Sequence, residues 1–180
     1  MSELSANQRL IQGLIRDVPD FPKPGVLFKD ITPLLSDARG YRASIDELAS
    51  VAPGDIDIVV GMEARGFIFA APVAIALGAG FVPVRKPGKL PGDVYRQTFS
   101  LEYGEETLEV HRDAIRPGAR VLVVDDVLAT GGTIGATAEL LGKLGAQLVH
   151  VAVLMELSFL HARERLATQG VTQTSAVLTI

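Results

Sequence analysis

The feature of this sequence that most constrains its fold is a repeated unit of a short apolar run, a glycine-containing turn and a helical spacing of apolar residues. The unit is clearest in "IDIVVGMEARGF", whose apolar run ends at Gly61, and in "RVLVVDDVLATGGTIG", whose turn holds Gly131 and Gly132. Strands that alternate with helices in this way predict a mainly parallel, twisted sheet with helices on both faces. The sequence is therefore predicted to be an α/β protein, with ligands bound at the carboxyl ends of the strands.

The same patterns place the remaining elements along the chain. Helices are predicted at about 6–17, 41–52, 67–77, 131–145 and 159–167, and strands at 56–61, 80–85, 120–126, 148–156 and 175–180. A hairpin is predicted over 96–111, with its turn at Gly104. The segment 86–100 has two Pro-Gly pairs and no helical period, so it is predicted to be a long, mobile surface loop. No repeat or low-complexity tract divides the 180 residues, which predicts a single domain over 1–180.

Composition narrows the class of protein. No apolar run approaches the roughly 18 residues that span a bilayer, and the N-terminus lacks the basic and apolar regions of a signal peptide. The absence of cysteine excludes disulfides and thiolate metal sites, and with the missing signal peptide it favours the cytoplasm. A net charge of -4 argues against nucleic-acid binding. We expect a small-molecule partner, no membrane and no nucleic acid.

The first candidate site is the turn Thr130-Gly131-Gly132-Thr133, which lies between a predicted strand and a predicted helix. Its backbone N–H groups and the positive end of the helix are suited to a phosphate, and the threonine hydroxyls add donors. The stretch lacks the Gly-Lys-Ser/Thr of a Walker A loop and the GxGxxG of a dinucleotide site. The competing interpretation is an ordinary strand-to-helix turn with Thr133 as the N-cap.

Two adjacent acids, Asp125 and Asp126, precede this turn. Carboxylates at the end of an apolar strand repel each other, so hydrogen-bond donors or a cation must compensate them. The hydroxyls of a ribose 5-phosphate would supply such donors one sugar width from the phosphate, and Mg²⁺ would neutralise excess charge. The alternative is a pair of solvated acids at the start of a loop.

Four cationic residues are candidates for a second anion. Arg65 in "MEARGF" follows a predicted strand end, and Arg85, Lys86 and Lys89 form the one concentrated basic patch of the sequence. Such a patch suits a group the size of pyrophosphate, although solvated surface positions are the alternative for all four. Glu102 in "LEYG" would by default be a polar hairpin residue, and the three histidines show no metal-ligand spacing.

"VLVVDDVLATGGT" resembles the phosphoribosyl-diphosphate signature of the type I phosphoribosyltransferases. Four further stretches, "FPKPGVLFKDITPLL", "GMEARGF", "VRKPGKLPG" and "SLEYGEETLEVH", resemble the adenine branch of that family in order and spacing. The resemblance runs from about residue 10 to the C-terminus. It implies transfer of a 5-phosphoribosyl group from phosphoribosyl diphosphate to adenine, with Mg²⁺ carried in on the diphosphate and no metal ligand from the protein.

The resemblance also implies an architecture. The expected form is the type I phosphoribosyltransferase fold, with a small N-terminal hood at 1–35 that contributes to the base pocket. A mobile β-hairpin lid, the flexible catalytic loop, is expected at 86–105. A homodimer is implied as well.

Each site residue then has a role implied by the resemblance. The 5-phosphate would be held by Ala129, Thr130, Gly131, Gly132 and Thr133, and the ribose hydroxyls by Asp125 and Asp126. The diphosphate would be bound by Arg65, Arg85, Lys86 and Lys89. The adenine would be contacted by Leu27, Phe28, Lys29 and Val127. Glu102 would handle the proton of the adenine ring nitrogen, with Tyr103 covering the site.

Lys29 departs from the family pattern, which usually has arginine at this position. Lysine does not reproduce the planar bidentate fork of arginine, so the predicted base site matches the family pattern less well than the predicted sugar-phosphate site does. Two other functions stay open at this point. One is transfer to a 6-oxo purine, which would need a donor to the base oxygen, and no lysine follows the signature before Lys143. The other is a non-catalytic sensor of phosphoribosyl diphosphate.

Overall fold

The computed structural model describes residues 4–100 and 104–180. The chain forms two compact units, residues 1–47 and residues 48–180. The predicted boundaries of the hood and of the flexible loop stay predictions.

The first unit begins with helix α1 and contains a two-stranded antiparallel sheet. Its elements are α1 Ala6–Gly13, β1 Arg16–Pro19, β2 Leu27–Asp30, α2 Thr32–Ser36 and the start of α3, Ala38–Ser50, which ends in the second unit. The Ser5 hydroxyl caps α1 by accepting a hydrogen bond from Gln8 N at 3.1 Å. The first helix was predicted to reach residue 17, which is wrong, because Arg16–Pro19 pairs as a strand with β2.

The second unit is built on a five-stranded parallel sheet in the order β4-β3-β7-β8-β9. Its strands are β3 Ile58–Met62, β4 Gly80–Val84, β7 Arg120–Leu128, β8 Gln147–Glu156 and β9 Thr174–Thr179. Its helices are α4 Arg65–Leu77, α5 Gly132–Lys143 and α6 Ala162–Thr168, with a 3-10 helix at Ser158–Leu160. Strands β5 Val94–Ser100 and β6 Glu105–His111 form a separate antiparallel hairpin.

Helices cover the sheet on both faces. α4 lies so close to β3 that a Cβ on Gly61 would sit 2.6 Å from the Ala70 Cβ. A single buried cluster joins side chains of β7 and β8, such as Val123 and Val153, to Ile134 of α5 and Leu166 of α6. The central strand β7 is buried almost throughout, which explains its continuous apolar run. The predicted α/β fold with a mainly parallel sheet is confirmed.

The structure corrects three element boundaries in this unit. β7 continues to Leu128, two residues beyond the predicted strand 120–126, and the alternative that Asp125 and Asp126 are solvated acids at the start of a loop is wrong. The predicted loop at 86–100 is too long, because Val94–Ser100 pairs with β6 as the first strand of the hairpin. The last predicted helix is interrupted at His161, whose φ of 52° separates the 3-10 helix from α6. No helix of the described residues has the length and apolar character needed to cross a membrane.

Candidate active site

A cleft of about 380 Å³ opens at the carboxyl ends of β3 and β7, and we call it the β3–β7 cleft. Two chain segments line it, and both follow a parallel strand into a helix. The lining residues are Met62, Glu63, Ala64, Arg65 and Gly66 from the first segment, and Asp125 through Ile134 from the second. The cleft therefore brings together Arg65, the two aspartates, Val127 and the whole of residues 129–133, which we call the glycine turn.

The glycine turn leads into α5, whose N-terminus has no side-chain cap. Gly131 is the N-cap of α5 with a φ of 82°, and no side chain caps the helix, so the interpretation of Thr133 as the N-cap is wrong. Helix geometry leaves the N–H groups of Gly132, Thr133 and Ile134 without intrahelical acceptors, and the helix dipole adds positive charge there. These donors line the cleft, which makes its floor suitable for an anion.

The paired aspartates are buried at the edge of this anion-binding turn. Asp125 is 8% exposed and Asp126 is 4% exposed, and Asp125 Oδ1 accepts a hydrogen bond from Asp126 N at 2.9 Å. The start of α4 approaches closely, since a Cβ on Gly66 would lie 2.8 Å from Asp125 Oδ1. Burial raises the pKa of both carboxyls, and the charge of Asp126 raises the pKa of Asp125 further.

Arg65 compensates part of this charge. Its Nε lies 3.0 Å from Asp126 Oδ2, and its attraction opposes the rise in the Asp126 pKa. This contact between Arg65 and Asp126 is an ion pair without hydrogen-bond geometry. Asp126 Oδ2 is buried and accepts no hydrogen bond among the described residues. This oxygen retains its capacity to accept a hydrogen bond from a ligand or to face a cation.

The predicted basic patch lies beside the cleft and contacts it through Glu63. Arg85 Nε and Lys86 N both approach Glu63 Oε2, at 3.2 and 3.0 Å. The hydrogen bond from Lys86 N, followed by the Arg85 guanidinium, lowers the pKa of Glu63. The Lys86 ammonium pairs with Glu106 of β6, and the Lys89 carbonyl accepts from Arg85 Nη1 at 3.2 Å. Two side chains of the patch, Arg85 and Lys86, therefore have acidic partners within the chain, Glu63 and Glu106.

The hairpin contributes two contacts that sequence reasoning missed. A Cβ on Gly132 would lie 3.0 Å from Phe99 Cδ2, so β5 packs against the glycine turn. Glu109 of β6 is 1% exposed and accepts hydrogen bonds from Arg96 Nε at 2.6 Å and from Gly88 N at 3.1 Å, which holds the basic loop to the hairpin. Glu63 was also missed, although its place in "GMEARGF" beside Arg65 was a usable signal.

The remaining predicted residues lie outside the cleft lining. Glu102 and Tyr103 fall outside the described residues. Leu27, Phe28 and Lys29 belong to β2 of the first unit. Leu27 is 51% exposed, and the Phe28 ring meets Phe21 edge-on at 5.1 Å. The Lys29 ammonium lies 2.7 Å from Asp17 Oδ1, across the β1–β2 pair.

The donor set of the cleft fits a cation only with the help of a ligand. Among the described residues, no group of three or more His, Cys, Asp or Glu side chains is arranged to hold a metal. The two aspartates are carboxylates that Mg²⁺ accepts, and Asp126 Oδ2 accepts no hydrogen bond among the described residues, but octahedral Mg²⁺ needs further oxygens. A bound diphosphate would supply them.

The parallel sheet, the two buried aspartates and the glycine turn before the uncapped helix α5 together indicate one class of protein. The family model described as "Phosphoribosyl transferase domain" matches residues 28–173 of the chain.

Relatives and solved structures narrow the class. Adenine phosphoribosyltransferase of Cutibacterium acnes is 66% identical over 171 residues, which cover 95% of this chain and 97% of that protein. The crystal structure of the Thermoanaerobacter pseudethanolicus adenine phosphoribosyltransferase superposes with a TM-score of 0.92 at 47% identity, covering 96% of this chain and 99% of that one. The Saccharomyces cerevisiae enzyme, solved with an imino-altritol bisphosphate and adenine, has a TM-score of 0.89 at 36% identity, covering 96% and 99%. The chain belongs to the adenine phosphoribosyltransferase family.

Proposed function

We propose that the β3–β7 cleft is where this chain carries out the activity of its family. The chain transfers the 5-phosphoribosyl group from phosphoribosyl diphosphate to adenine, giving AMP and pyrophosphate. The observation that carries the assignment of the cleft is the placement of two buried carboxylates directly before an uncapped helix N-terminus. This order of groups matches a phosphate followed by a sugar diol.

The glycine turn seats the 5-phosphate. Its free N–H groups at the start of α5 and the hydroxyls of Thr130 and Thr133 donate to the phosphate oxygens, and the helix dipole favours their negative charge. Ala129 contributes backbone to the same seat.

Asp125 and Asp126 accept hydrogen bonds from the ribose hydroxyls. Asp126 Oδ2 faces Arg65 but accepts no hydrogen bond among the described residues, so it is the acceptor with the most to gain, because a buried carboxylate oxygen without a hydrogen bond is costly. Mg²⁺ carried in on the diphosphate would offset the negative charge of this pair and would stabilise charge that develops on the leaving group.

The diphosphate is bound by cations that exchange their present partners. Arg65 now neutralises Asp126, Arg85 is paired with Glu63 and Lys86 with Glu106. A diphosphate carries more charge than any one of these carboxylates, so it competes for the same cations. Lys89 is exposed on the adjoining loop and adds a further positive charge.

Adenine is contacted by Leu27, Phe28, Lys29 and Val127. Val127 lines the cleft next to the aspartates, which supports its place beside the reacting sugar. The half-buried Phe28 ring offers an apolar face to a base. Lys29 also pairs with Asp17, which orders β2 beside the base.

Glu102 moves the proton of the adenine ring nitrogen, and Tyr103 covers the site when the hairpin closes. The position of these two residues between β5 and β6 supports this, because the same hairpin packs on the glycine turn through Phe99. Exclusion of water protects the activated sugar from hydrolysis.

A nucleobase panel tests the function. Purified protein is mixed with phosphoribosyl diphosphate, Mg²⁺ and one base, and pyrophosphate release is measured for adenine, hypoxanthine, guanine and xanthine. We expect release with adenine and the preference for adenine to exceed tenfold, because a site built around one hydrogen-bond pattern leaves polar groups unpaired with the others. Release with a 6-oxo purine alone would overturn the choice of adenine, and no release with any base would overturn catalysis in the cleft.

The chain acts as a homodimer in the cytoplasm in this proposal. Apolar side chains that remain exposed on α4, such as Ile75 at 83%, support an association of copies. Multi-angle light scattering at micromolar concentration tests it, with a mass of about twice 19.1 kDa as the expected result.

A further inference from the structure

An ion pair between a buried glutamate and a half-exposed arginine, with no role in the site so far, lies just beyond the cleft. Glu156, the last residue of β8, has a side chain that is 7% exposed. Arg163 of α6 donates to it in bidentate fashion, with Nε 2.8 Å from Oε1 and Nη2 2.7 Å from Oε2. The third guanidinium nitrogen, Nη1, donates to the Thr174 carbonyl at 2.7 Å. The planar fork of arginine is fully used, which fixes α6 on the end of the sheet.

The acidic partner is attached to the strand that delivers the glycine turn. Glu156 pairs with Leu128, the last residue of β7, and Leu157 N donates to the Leu128 carbonyl at 3.0 Å. The glycine turn begins at the next residue, Ala129. The ion pair is thus anchored one residue from the turn, on the neighbouring strand.

The helix that the pair fixes packs against the turn itself. A Cβ on Gly131 would lie 3.2 Å from Leu166 Cγ and 3.4 Å from the Ala162 carbonyl oxygen. Leu166 is fully buried and Ala162 is 2% exposed. Gln169, just after α6, fills the space beside Gly135 in the first turn of α5. α6 and the residue after it therefore contact both ends of the region that presents the N–H donors.

The glycine turn depends on such outside support. Gly131 has a left-handed φ of 82°, and no side chain caps α5, so few local hydrogen bonds define the direction of the N–H groups. We propose that Glu156 and Arg163 are a positioning pair for the 5-phosphate: they hold α6 against Gly131 and so aim the backbone donors of the turn. The proposal rests on the assignment of the glycine turn as the seat of the 5-phosphate.

The test compares ligands that do and do not carry the 5-phosphate. Ribose 5-phosphate, AMP and pyrophosphate with Mg²⁺ are titrated into the full-length protein and into Arg163→Lys and Glu156→Gln by calorimetry. We expect ribose 5-phosphate and AMP to bind about tenfold more weakly to both variants, because charge-assisted hydrogen bonds to the phosphate lose their alignment. Pyrophosphate is expected to bind within about twofold of the unchanged protein, since its cations lie on other segments.

Two further variants keep the result interpretable. Arg116→Lys alters a different arginine–carboxylate pair, Arg116 with Asp57 at 2.9 Å, which lies at the opposite end of the strands and should change no affinity. Leu166→Val trims the contact with Gly131 while leaving the ion pair intact, and it should reproduce the selective loss. If circular dichroism shows that an ion-pair variant is unfolded, Leu166→Val is used in its place.

The outcomes separate the two proposals. If the unchanged protein binds neither ribose 5-phosphate nor AMP, the seat of the 5-phosphate is wrong. If it binds both and the variants bind them equally well, the positioning role is wrong. An equal loss of affinity for all three ligands would show a general loss of structure and would also overturn the positioning role.

Discussion

At the scale of single residues, burial makes the negative charge of the paired aspartates unfavourable, and the same charge is suited to binding a sugar and its cation. Burial raises the pKa of both carboxyls, and the charge of Asp126 raises the pKa of Asp125 further, so burial makes their ionised forms unfavourable. Sugar hydroxyls and a cation would favour those same ionised forms. The sequence predicted this pair at the end of a strand over 120–126 and the turn after it, but not that β7 continues to Leu128, because strand length depends on the pairing partner.

Asp125→Asn should weaken binding of phosphoribosyl diphosphate and leave the free protein at least as stable at pH 8. The affinity loss is expected to be about 10- to 100-fold, the value of a hydrogen bond to a charged acceptor. The amide oxygen can still accept from Asp126 N, and the repulsion between the carboxylates disappears. Calorimetry gives the affinity and a thermal melt gives the stability. Intact affinity with a lower melting temperature would make Asp125 a structural residue.

Glu102→Gln should lower turnover and leave the affinity for phosphoribosyl diphosphate nearly unchanged. The expected loss in kcat is about 10²-fold or more, the usual value of general acid–base help. Steady-state kinetics with adenine measures it. Glu105→Gln, two residues after Tyr103 and exposed, is the matched control and should retain full turnover. An unchanged kcat in the Glu102 variant would refute the proton-transfer role.

At the scale of elements, the unit formed by β7, the glycine turn and α5 presents the phosphate donors. Its turn chemistry is local, so the sequence predicted it well. The support from α6 and from Phe99 is not local, because both come from distant parts of the chain. No pattern in the sequence predicted these contacts. The hairpin shows the same limit, since its strand β5 begins at Val94, in a segment that composition alone assigns to a loop.

Gly131→Ala should damage the glycine turn, while Gly142→Ala in the same helix should not. A Cβ at a φ of 82° costs about 1–2 kcal/mol, and here it also meets Leu166 at 3.2 Å. We expect the KM for phosphoribosyl diphosphate to rise about tenfold. Gly142 has open space around it and an ordinary φ, so alanine there should raise stability by about 0.5 kcal/mol with no kinetic effect. Kinetics and urea unfolding measure both, and equal behaviour of the two variants would contradict the role of Gly131.

At the scale of the whole molecule, ligand binding should couple to stability and to protons. Phosphoribosyl diphosphate with Mg²⁺ at about 100 times its Kd should stabilise the fold by about 2.7 kcal/mol. For a chain of this length that is a rise in melting temperature of roughly 5–10 °C. Removing Mg²⁺ with a chelator should abolish most of the shift, and an undiminished shift would show that the metal is not needed for binding.

The same binding event should release protons. The aspartates have raised pKa values in the free protein, so their contribution to folding stability is complete below the ordinary value of 3.8 and is lost as pH rises through the raised pKa values. Binding favours the carboxylates, so affinity should fall as pH falls through the same range. Calorimetry in buffers of different ionisation enthalpy counts the protons, and Asp125→Asn corrects for those of the ligand. Equal proton counts in both proteins would contradict the coupling.

The sequence by itself determined the order of strands and helices from α3 onward, the parallel sheet, the glycine turn and its acids, because apolar periodicity and turn residues act over a few positions. Only the tertiary structure decided which partner each charge has. Lys86 pairs with Glu106, Arg85 with Glu63, and Arg163 with Glu156. It also decided that α6 supports Gly131 and that the aspartates are buried. These features follow from long-range packing, in which desolvation and charge depend on neighbours that sequence spacing does not reveal.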